Sequence, residues 1–563
     1  MTKTIKTRNY SAQSAQALVD AGVHPLMAKL LAARGVQSQT SIEGALKHLI
    51  PPDLLMQNTA MAQCLAELIV QQRNILVVGD YDADGATATA VAVKGLRAMG
   101  AQVDFLVPNR FEYGYGLTPE IVRLAHQSKP HAILTVDNGI ASIEGVAEAN
   151  ALGIQVLITD HHLPADATPQ ASCIVNPNQR GCPFPSKHLA GVGVMFYVLM
   201  TLRAALIAQG RMDAAQPYPL AELLDLVALG TVADLVKLDD NNRILVEQGL
   251  RRIRAGACCP GILAILQCAG RDSRKVTAQD LGFYVGPRLN AAGRLDDMTL
   301  GIRCLLSDSM QAAMPYARQL QALNVERRQI EAEMQQEAQA DLEVVSVVDA
   351  FTLSIYQPEW HQGVIGILAS RIKEQYHRPV IAFASAGDGL LKGSGRSIPG
   401  LHLRDALDYV TKQHPTLIVK FGGHAMAAGL TIREADFSLF KQAFETAVRS
   451  YITVEDLQEA IETDGALTTE DMTLETASLL EKQVWGQGFP PPMFYDQFRV
   501  VSQRVLGEKH LKLQLQKGEW RYEAIYFNQA TLLPEQVHAV YQLQINDYQG
   551  QQQVQLQLKY AHA

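Results

Sequence analysis

Ile75-Leu76-Val77-Val78-Gly79-Asp80-Tyr81-Asp82-Ala83-Asp84-Gly85 is the stretch on which the reading of this chain turns. Its apolar start has the length and β-rich make-up of a buried parallel strand. Three carboxylates follow at alternate positions in a glycine-closed turn. Left bare, they repel one another. A cation removes that repulsion, and carboxylate oxygens suit hard divalent ions such as Mg²⁺ or Mn²⁺. A solvated acidic turn is the plainer account of one such stretch taken alone.

The pattern recurs. The run 132–136 ends in Asp137-Asn138-Gly139, and 156–159 ends in Asp160-His161-His162. A helical run at 223–229 leads into Gly230-Thr231-Val232-Ala233-Asp234. Open parallel α/β sheets place ligands at the carboxyl ends of their strands. Imidazole added to several carboxylates favours Mn²⁺ or a mixed two-metal site over calcium. Any single aspartate here reads equally well as a helix N-cap; the set of four clusters favours metal.

These four motifs resemble those of the DHH phosphoesterase superfamily. Lys392-Gly393-Ser394-Gly395-Arg396-Ser397 and Phe421-Gly422-Gly423-His424-Ala425-Met426-Ala427-Ala428-Gly429 match its accessory DHHA1 domain. Gly286-Pro287-Arg288-Leu289-Asn290-Ala291-Ala292-Gly293-Arg294-Leu295 and Trp360-His361-Gln362-Gly363-Val364-Ile365-Gly366 are similar to the RecJ family of single-strand-specific 5′→3′ exonucleases. The resemblance implies two Mn²⁺ or Mg²⁺ ions. Asp80, Asp82 and Asp137 would hold one, and Asp84, Asp137, His161 and Asp234 the other, with Asp137 bridging. It leaves His162 to face the phosphate or orient the site, and Asp160 to accept a histidine N–H. The implied chemistry is phosphodiester hydrolysis by a water that two metals activate, with no covalent intermediate.

Composition sets the frame. The chain has 563 residues, 48% of them hydrophobic and 19% charged, enough for roughly three or four domains with sizeable cores. No run reads as long enough for a membrane span, and the first residues lack the apolar core of a secretory signal. Seven scattered cysteines without CxxC spacing fit a reducing cytoplasm rather than disulfides or zinc. The net charge of −8 argues mildly against a nucleic-acid binder. Between Arg251 and Arg294, however, eight Lys and Arg face only Asp272 and Asp280, a local stripe sufficient for phosphates.

The expected fold is α/β and multidomain. A helical segment, 1–50, precedes a parallel-sheet DHH domain at 51–245, where β-runs alternate with helical patterns. A basic helical region with a long connecting helix covers 246–345. A DHHA1 α/β domain covers 346–455, with strands near 351–356, 380–383 and 417–420. Residues 456–563 form the nucleic-acid-binding end: an acidic helical stretch at 454–482, a Pro/Gly boundary at 486–492, then alternating strands that suggest an OB-fold barrel, which the resemblance also implies.

For substrate, the glycine-rich turn around Ser394 and Arg396 is a candidate anion cradle. Arg288, Arg294 and Arg396 are candidates for a terminal 5′-phosphate pocket, with Asn290 in the same motif. His424 is a candidate contact to the scissile phosphate. Arg110 and Tyr113 lie in a loop that interleaves a base with aromatics, suited either to base stacking or to ordinary surface packing. Three other readings stand beside the exonuclease: an oligoribonuclease or cyclic-dinucleotide phosphodiesterase, a pyrophosphatase, and a catalytically dead replication scaffold. The complete acidic set favours a live enzyme, and the barrel favours a polymeric substrate. The resemblance implies single-stranded DNA as partner, a monomer, and association with single-stranded-DNA-binding protein and a helicase.

Overall fold

The computed structural model describes residues 3–563 except 110–112, 114, 115, 345–348 and 549. They form two compact units: Thr7–Gln321 with Glu462–Ala563, and Met1–Lys6 with Ala322–Ile461.

The first unit is built on five parallel strands, β1 (Asn74–Gly79), β2 (Gln102–Leu106), β3 (Ala132–Val136), β4 (Gln155–Thr159) and β5 (Cys173–Val175), in the order β2-β1-β3-β4-β5. β3 is buried at every residue, and β1 and β4 at all but their first. Coverage of both faces is why these strands read as unbroken apolar runs. Helices Pro119–His126 and Ile143–Ala151 close one face over Leu76, Val78, Ile133, Val156 and Ile158. The alternate residues Val77, Leu134 and Leu157 are equally buried and so point to the other face. There α2 (Ala83–Ala98), α3 (Gly191–Ala208) and α4 (Leu224–Ala233) pack together, with α1 (Asn58–Val70) against α3.

α3 corrects one reading of the sequence. Its eighteen residues are long and apolar enough to cross a membrane. Most of them are buried, from Gly191 through Leu199 and again at Leu202 and Leu206. A helix surrounded by α1, α2 and α4 needs no polar stripe, so its composition mimics a span.

Register decides what leaves the sheet. Gly79 pairs with Val136, and Val136 with Thr159. The next residues, Asp80, Asp137 and Asp160, therefore emerge side by side at the carboxyl edge. A π-helical turn, Leu281–Val285, feeds α5 (Gly286–Leu295), which lies against the acidic turn. A Cβ on Gly293 would stand 1.8 Å from the Tyr81 carbonyl oxygen. Asn290 Oδ1 accepts the Ala83 N–H at 2.8 Å.

The same unit ends in a closed barrel of β6 (Phe494–Leu506), β7 (His510–Lys517), β8 (Trp520–Tyr526), β9 (Gln536–Tyr548) and β10 (Gln551–His562), ordered β6-β7-β8-β10-β9. Only β8 and β10 run parallel, the connectivity of an OB-fold. Inside it Tyr541 donates to Asp496 at 2.7 Å, and Lys517 pairs with the same carboxylate. The two sequence ends of the unit are clamped together. Arg34 donates to both Asp464 oxygens at 2.9 Å and to the Pro490 carbonyl at 2.7 Å. The acidic stretch 454–482, which reads as helical, has one 3₁₀ turn and a helix only at Leu474–Glu481. Thr468 and Thr473 turn the backbone locally, through Asp471 and as an N-cap, and such bonds compete with helix.

The second unit holds a five-stranded sheet in the order 418–423, 427–433, 390–396, 380–387, 353–356, antiparallel except for its last pair. Here the turn reading of Gly393-Ser394-Gly395 is corrected. These residues lie in strand Leu390–Arg396, paired on both sides, so their backbone groups serve the ladder and form no anion cradle. Glycine is required at 393 because Phe383 and Leu430 close over it, 2.6 and 2.7 Å from where a Cβ would be. Helix α6 (Met310–Val344) brings a polar stripe into this unit. Arg327 bonds Asn324 at 2.8 Å and Glu331 at 2.5 Å, and Arg371 reaches Glu331 at 2.9 Å.

Gly293→Ala should destabilise the first unit by about 1–3 kcal/mol, because the added methyl has no space between α5 and the acidic turn. Urea denaturation checks this; an unchanged midpoint would mean that α5 slides freely.

Candidate metal centre

The sheet edge and two helix ends bring the acidic and imidazole groups together. Asp80 and Asp82 come from the β1–α2 junction, where Asp82 caps α2 by accepting the Gly85 N–H at 3.0 Å. Asp84 sits in the first turn of α2, 1% exposed. Asp234 ends α4. Asp137 follows β3 with φ +62°, a left-handed conformation that aspartate tolerates better than most residues.

His161 Nε2 lies 3.1 Å from Asp137 Oδ1, 3.5 Å from Asp234 Oδ2 and 3.9 Å from Asp84 Oδ2. Three overlapping groups have donor atoms within 4.8 Å of one another: Asp80, Asp82 and Asp137; Asp84, His161 and Asp234; Asp137, His161 and His162.

Electrostatics make the crowding costly. Burial, then repulsion from Asp82, pushes Asp84 up to about 7, although the Val192 and Gly191 N–H groups pull the other way. Those N–H groups, at the start of α3, reach Asp84 at 2.9 and 2.6 Å. Burial and then the neighbouring aspartates hold Asp137 and Asp234 well above the usual carboxylate range. Asp160 behaves differently. Burial alone would raise it, but the hydrogen bond and charge of His162, then His161 and the Ile140 N–H, hold it low. Burial opposes charge on His162, yet its 2.7 Å bond to Asp160 raises it to about 9.

Several positioning residues carried no signal strong enough to read from the sequence. Asn176 and Asn178, just past β5, donate to the carbonyls of His162 and His161 at 2.9 and 2.5 Å. Asn138 donates to Val78 and Val136 carbonyls, tying the β1 and β3 exits together. Their only trace is a cluster of Asn at the edge where the aspartates emerge.

The other candidates are placed as follows. Arg288 is 8% exposed and donates to Gln321 and to the Tyr284 carbonyl. Asn290 and Arg294 share α5 with it. Tyr113 is half-buried against the core beneath helices 119–126 and 143–151, which favours its packing reading; Arg110 lies outside the described residues. Ser394, Arg396 and His424 belong to the second unit. Arg396 donates to Ser394 Oγ at 3.2 Å, and His424 is exposed at the turn between strands Ile418–Gly423 and Ala427–Arg433.

Hard carboxylate oxygens with one imidazole, crowded enough to resist ionising together, fit divalent ions. Without metal, Asp84 contributes stability below about pH 4 that is lost as pH rises through about 7. Cations replace those protons more easily as pH rises. The gain in melting temperature on adding Mn²⁺ should therefore grow between about pH 5.5 and 8 and shrink in Asp84→Asn. A pH-independent gain would exclude the buried carboxylates as ligands.

Family models match in three places: the DHH family N-terminal domain at residues 74–231, the DHHA1 domain at 344–450 and the RecJ OB domain at 463–560. The single-stranded-DNA-specific exonuclease RecJ of Escherichia coli is 51% identical over 547 residues, covering 94% of this chain and 95% of that protein. The crystal structure of RecJ with Mn²⁺ from Thermus thermophilus superposes with a TM-score of 0.84 at 30% identity, covering 100% of this chain and 79% of that one. The Mg²⁺ complex from the same organism gives 0.78 at 28% identity, with coverage of 100% and 78%. With all three modules in order and a full-length relative at this identity, the chain belongs to the RecJ family.

Proposed function

We propose that this chain is a Mn²⁺- or Mg²⁺-dependent exonuclease that hydrolyses the phosphodiester bonds of single-stranded DNA in the 5′→3′ direction, in DNA repair and recombination. The observation that carries this is the convergence of Asp80, Asp82, Asp84, Asp137, His161 and Asp234 at one sheet edge in a chain with every RecJ module. The proposed ligands are Asp80, Asp82 and Asp137 for one ion and Asp84, Asp137, His161 and Asp234 for the other. When bound, two such ions supply an activated water and offset charge on the phosphate.

The chain's own groups do the rest. Asp160 fixes the ring of His162 through Nδ1, and His162 is the proposed residue facing the phosphate. α5 steadies the acidic turn through Asn290 and Gly293. Arg288 and Arg294 supply positive charge on the same helix, and His424 is a proposed phosphate-binding residue. A single strand is the natural substrate of a barrel appended to a metal centre. We assign a cytoplasmic location and a monomeric state, with single-stranded-DNA-binding protein and a helicase as partners.

Arg396 and Ser394 are the proposed readers of a 5′-terminal phosphate. Burial lowers the Arg396 pKa. A Cβ on Gly366, in the first turn of helix Ile365–Tyr376, would lie 2.9 Å from both Arg396 Nη2 and Ser394 Oγ. A guanidinium beside a helix N-terminus is repelled by the dipole unless an anion sits between them.

Digestion of end-labelled single- and double-stranded oligonucleotides tests the activity. Mononucleotides should leave the 5′ end of single strands with Mn²⁺ and none with chelator. Asp137→Ala should reduce turnover to background while keeping the fold; normal turnover in saturating Mn²⁺ would overturn the metal assignment. Arg396→Ala should cost about 1.5–3 kcal/mol on 5′-phosphorylated strands, a roughly ten- to hundredfold rise in KM, with 5′-hydroxyl strands little changed. If the mutant keeps the full preference for the phosphorylated end, the pocket lies elsewhere.

A further inference from the structure

The barrel carries an arrangement of rings that its core does not need. On β6, β9 and β10, the rings of Tyr495, His538 and His562 have centroids 5.8, 5.3 and 6.3 Å apart. Their planes differ by only 14–29°. A column of stacked rings would put its outer pair near twice the neighbour spacing. Three nearly equal distances between nearly parallel rings rule out a single column and are met by a tile, with the rings side by side. The 3.2 Å contact between Tyr495 Oη and His562 Nε2 agrees, because an imidazole nitrogen bonds in its ring plane. Tyr560 extends the tile, 5.7 Å from His562 and tilted by 40°.

The tile has an inside and an outside. Phe494, Val537 and Ala539 face the barrel core, so their neighbours Tyr495 and His538 face out. Val540 also points outward by register, opposite both Tyr495 and Tyr560, yet it is 0% exposed. The rings cover it. All four residues are only half-buried, so part of each stays accessible. The same outer surface continues along the strands as amides, with Gln544 bonded to Gln557 at 2.8 Å.

We propose that Tyr495, His538, His562 and Tyr560 form a stacking platform for unpaired nucleobases, separate from the β7–β8 face by which OB-folds usually grip oligonucleotides. This rests on the single-strand reading above. A flat aromatic surface of this size accepts any base, because every base has a π-face. The platform lies nine residues along β9 from Asp547, whose carboxylate pairs with Lys275 of the basic segment at 2.8 Å. At 3.3 Å per residue that is about 30 Å, so only a long strand lying along the basic segment also reaches the platform.

The test is binding of a thirty-nucleotide oligo-dT and of an abasic strand of equal length, in chelator, to wild type and to Tyr495→Leu/His538→Leu. Leucine keeps Val540 covered while removing two ring faces. The variant should bind oligo-dT about tenfold more weakly and the abasic strand equally well, with hydrolysis of a short oligonucleotide unchanged in Mn²⁺. Unchanged oligo-dT affinity overturns the platform. So does an equal loss on both strands, which would make the rings a support for the barrel or a phosphate contact. Failure of wild type to digest single strands would sink the functional reading instead, and is scored separately.

Discussion

Five aspartates and two histidines crowded at one edge of a sheet repel or compete for protons, and much of the first unit exists to hold them there. Burial lifts Asp84 to about 7 and Asp137 and Asp234 well above ordinary carboxylates. Such a cluster is stable only if backbone and neighbours give it no alternative. The parallel register fixes where Asp80, Asp137 and Asp160 emerge. The N-terminus of α3 clamps Asp84, and α5 backs the acidic turn so closely that a methyl group would not fit. Strain of this kind is stored where chemistry needs it, and here it is stored in charge more than in backbone.

The two histidines show how the same edge divides labour. His161 faces Asp137, Asp234 and Asp84, and His162 faces Asp160. One imidazole is thus turned toward the crowded carboxylates while its neighbour is bound to Asp160, whose pKa is held low. Asn178 and Asn176 pin the two backbone carbonyls, so adjacent residues in sequence keep distinct orientations.

Much of this was legible because strand and chemistry coincide in the sequence. Three of the five apolar runs of the central sheet, those ending at Gly79, Val136 and Thr159, stop at an acid, so a reader sees the strand and its functional end together. The mostly apolar helix Gly191–Ala208 gave no such cue, because burial of most of its residues blurs the stripe that separates a core helix from a membrane span. Gly393-Ser394-Gly395 misled for the opposite reason. Glycine usually marks a turn, but here it marks a central strand whose neighbours Phe383 and Leu430 fill the space. Asn176, Asn178 and the N–H groups of Gly191 and Val192 act through backbone geometry, which leaves almost no trace in residue identity.

The Arg34–Asp464 clamp joins positions 430 residues apart, around a second unit that is itself compact. During synthesis the first unit therefore cannot finish until its last quarter, Glu462–Ala563, has been made. At roughly 5–20 residues per second, Arg34 waits on the order of 20–90 s for its partner. The inserted unit has local partners within that interval, whereas the earlier residues, whose five-stranded sheet is already made, wait with Arg34 lacking Asp464 and the Pro490 carbonyl. Nascent chains of this protein should accordingly be clients of the chaperones that greet emerging polypeptides, and the demand should end only once the barrel strands, Phe494 to His562, have left the ribosome.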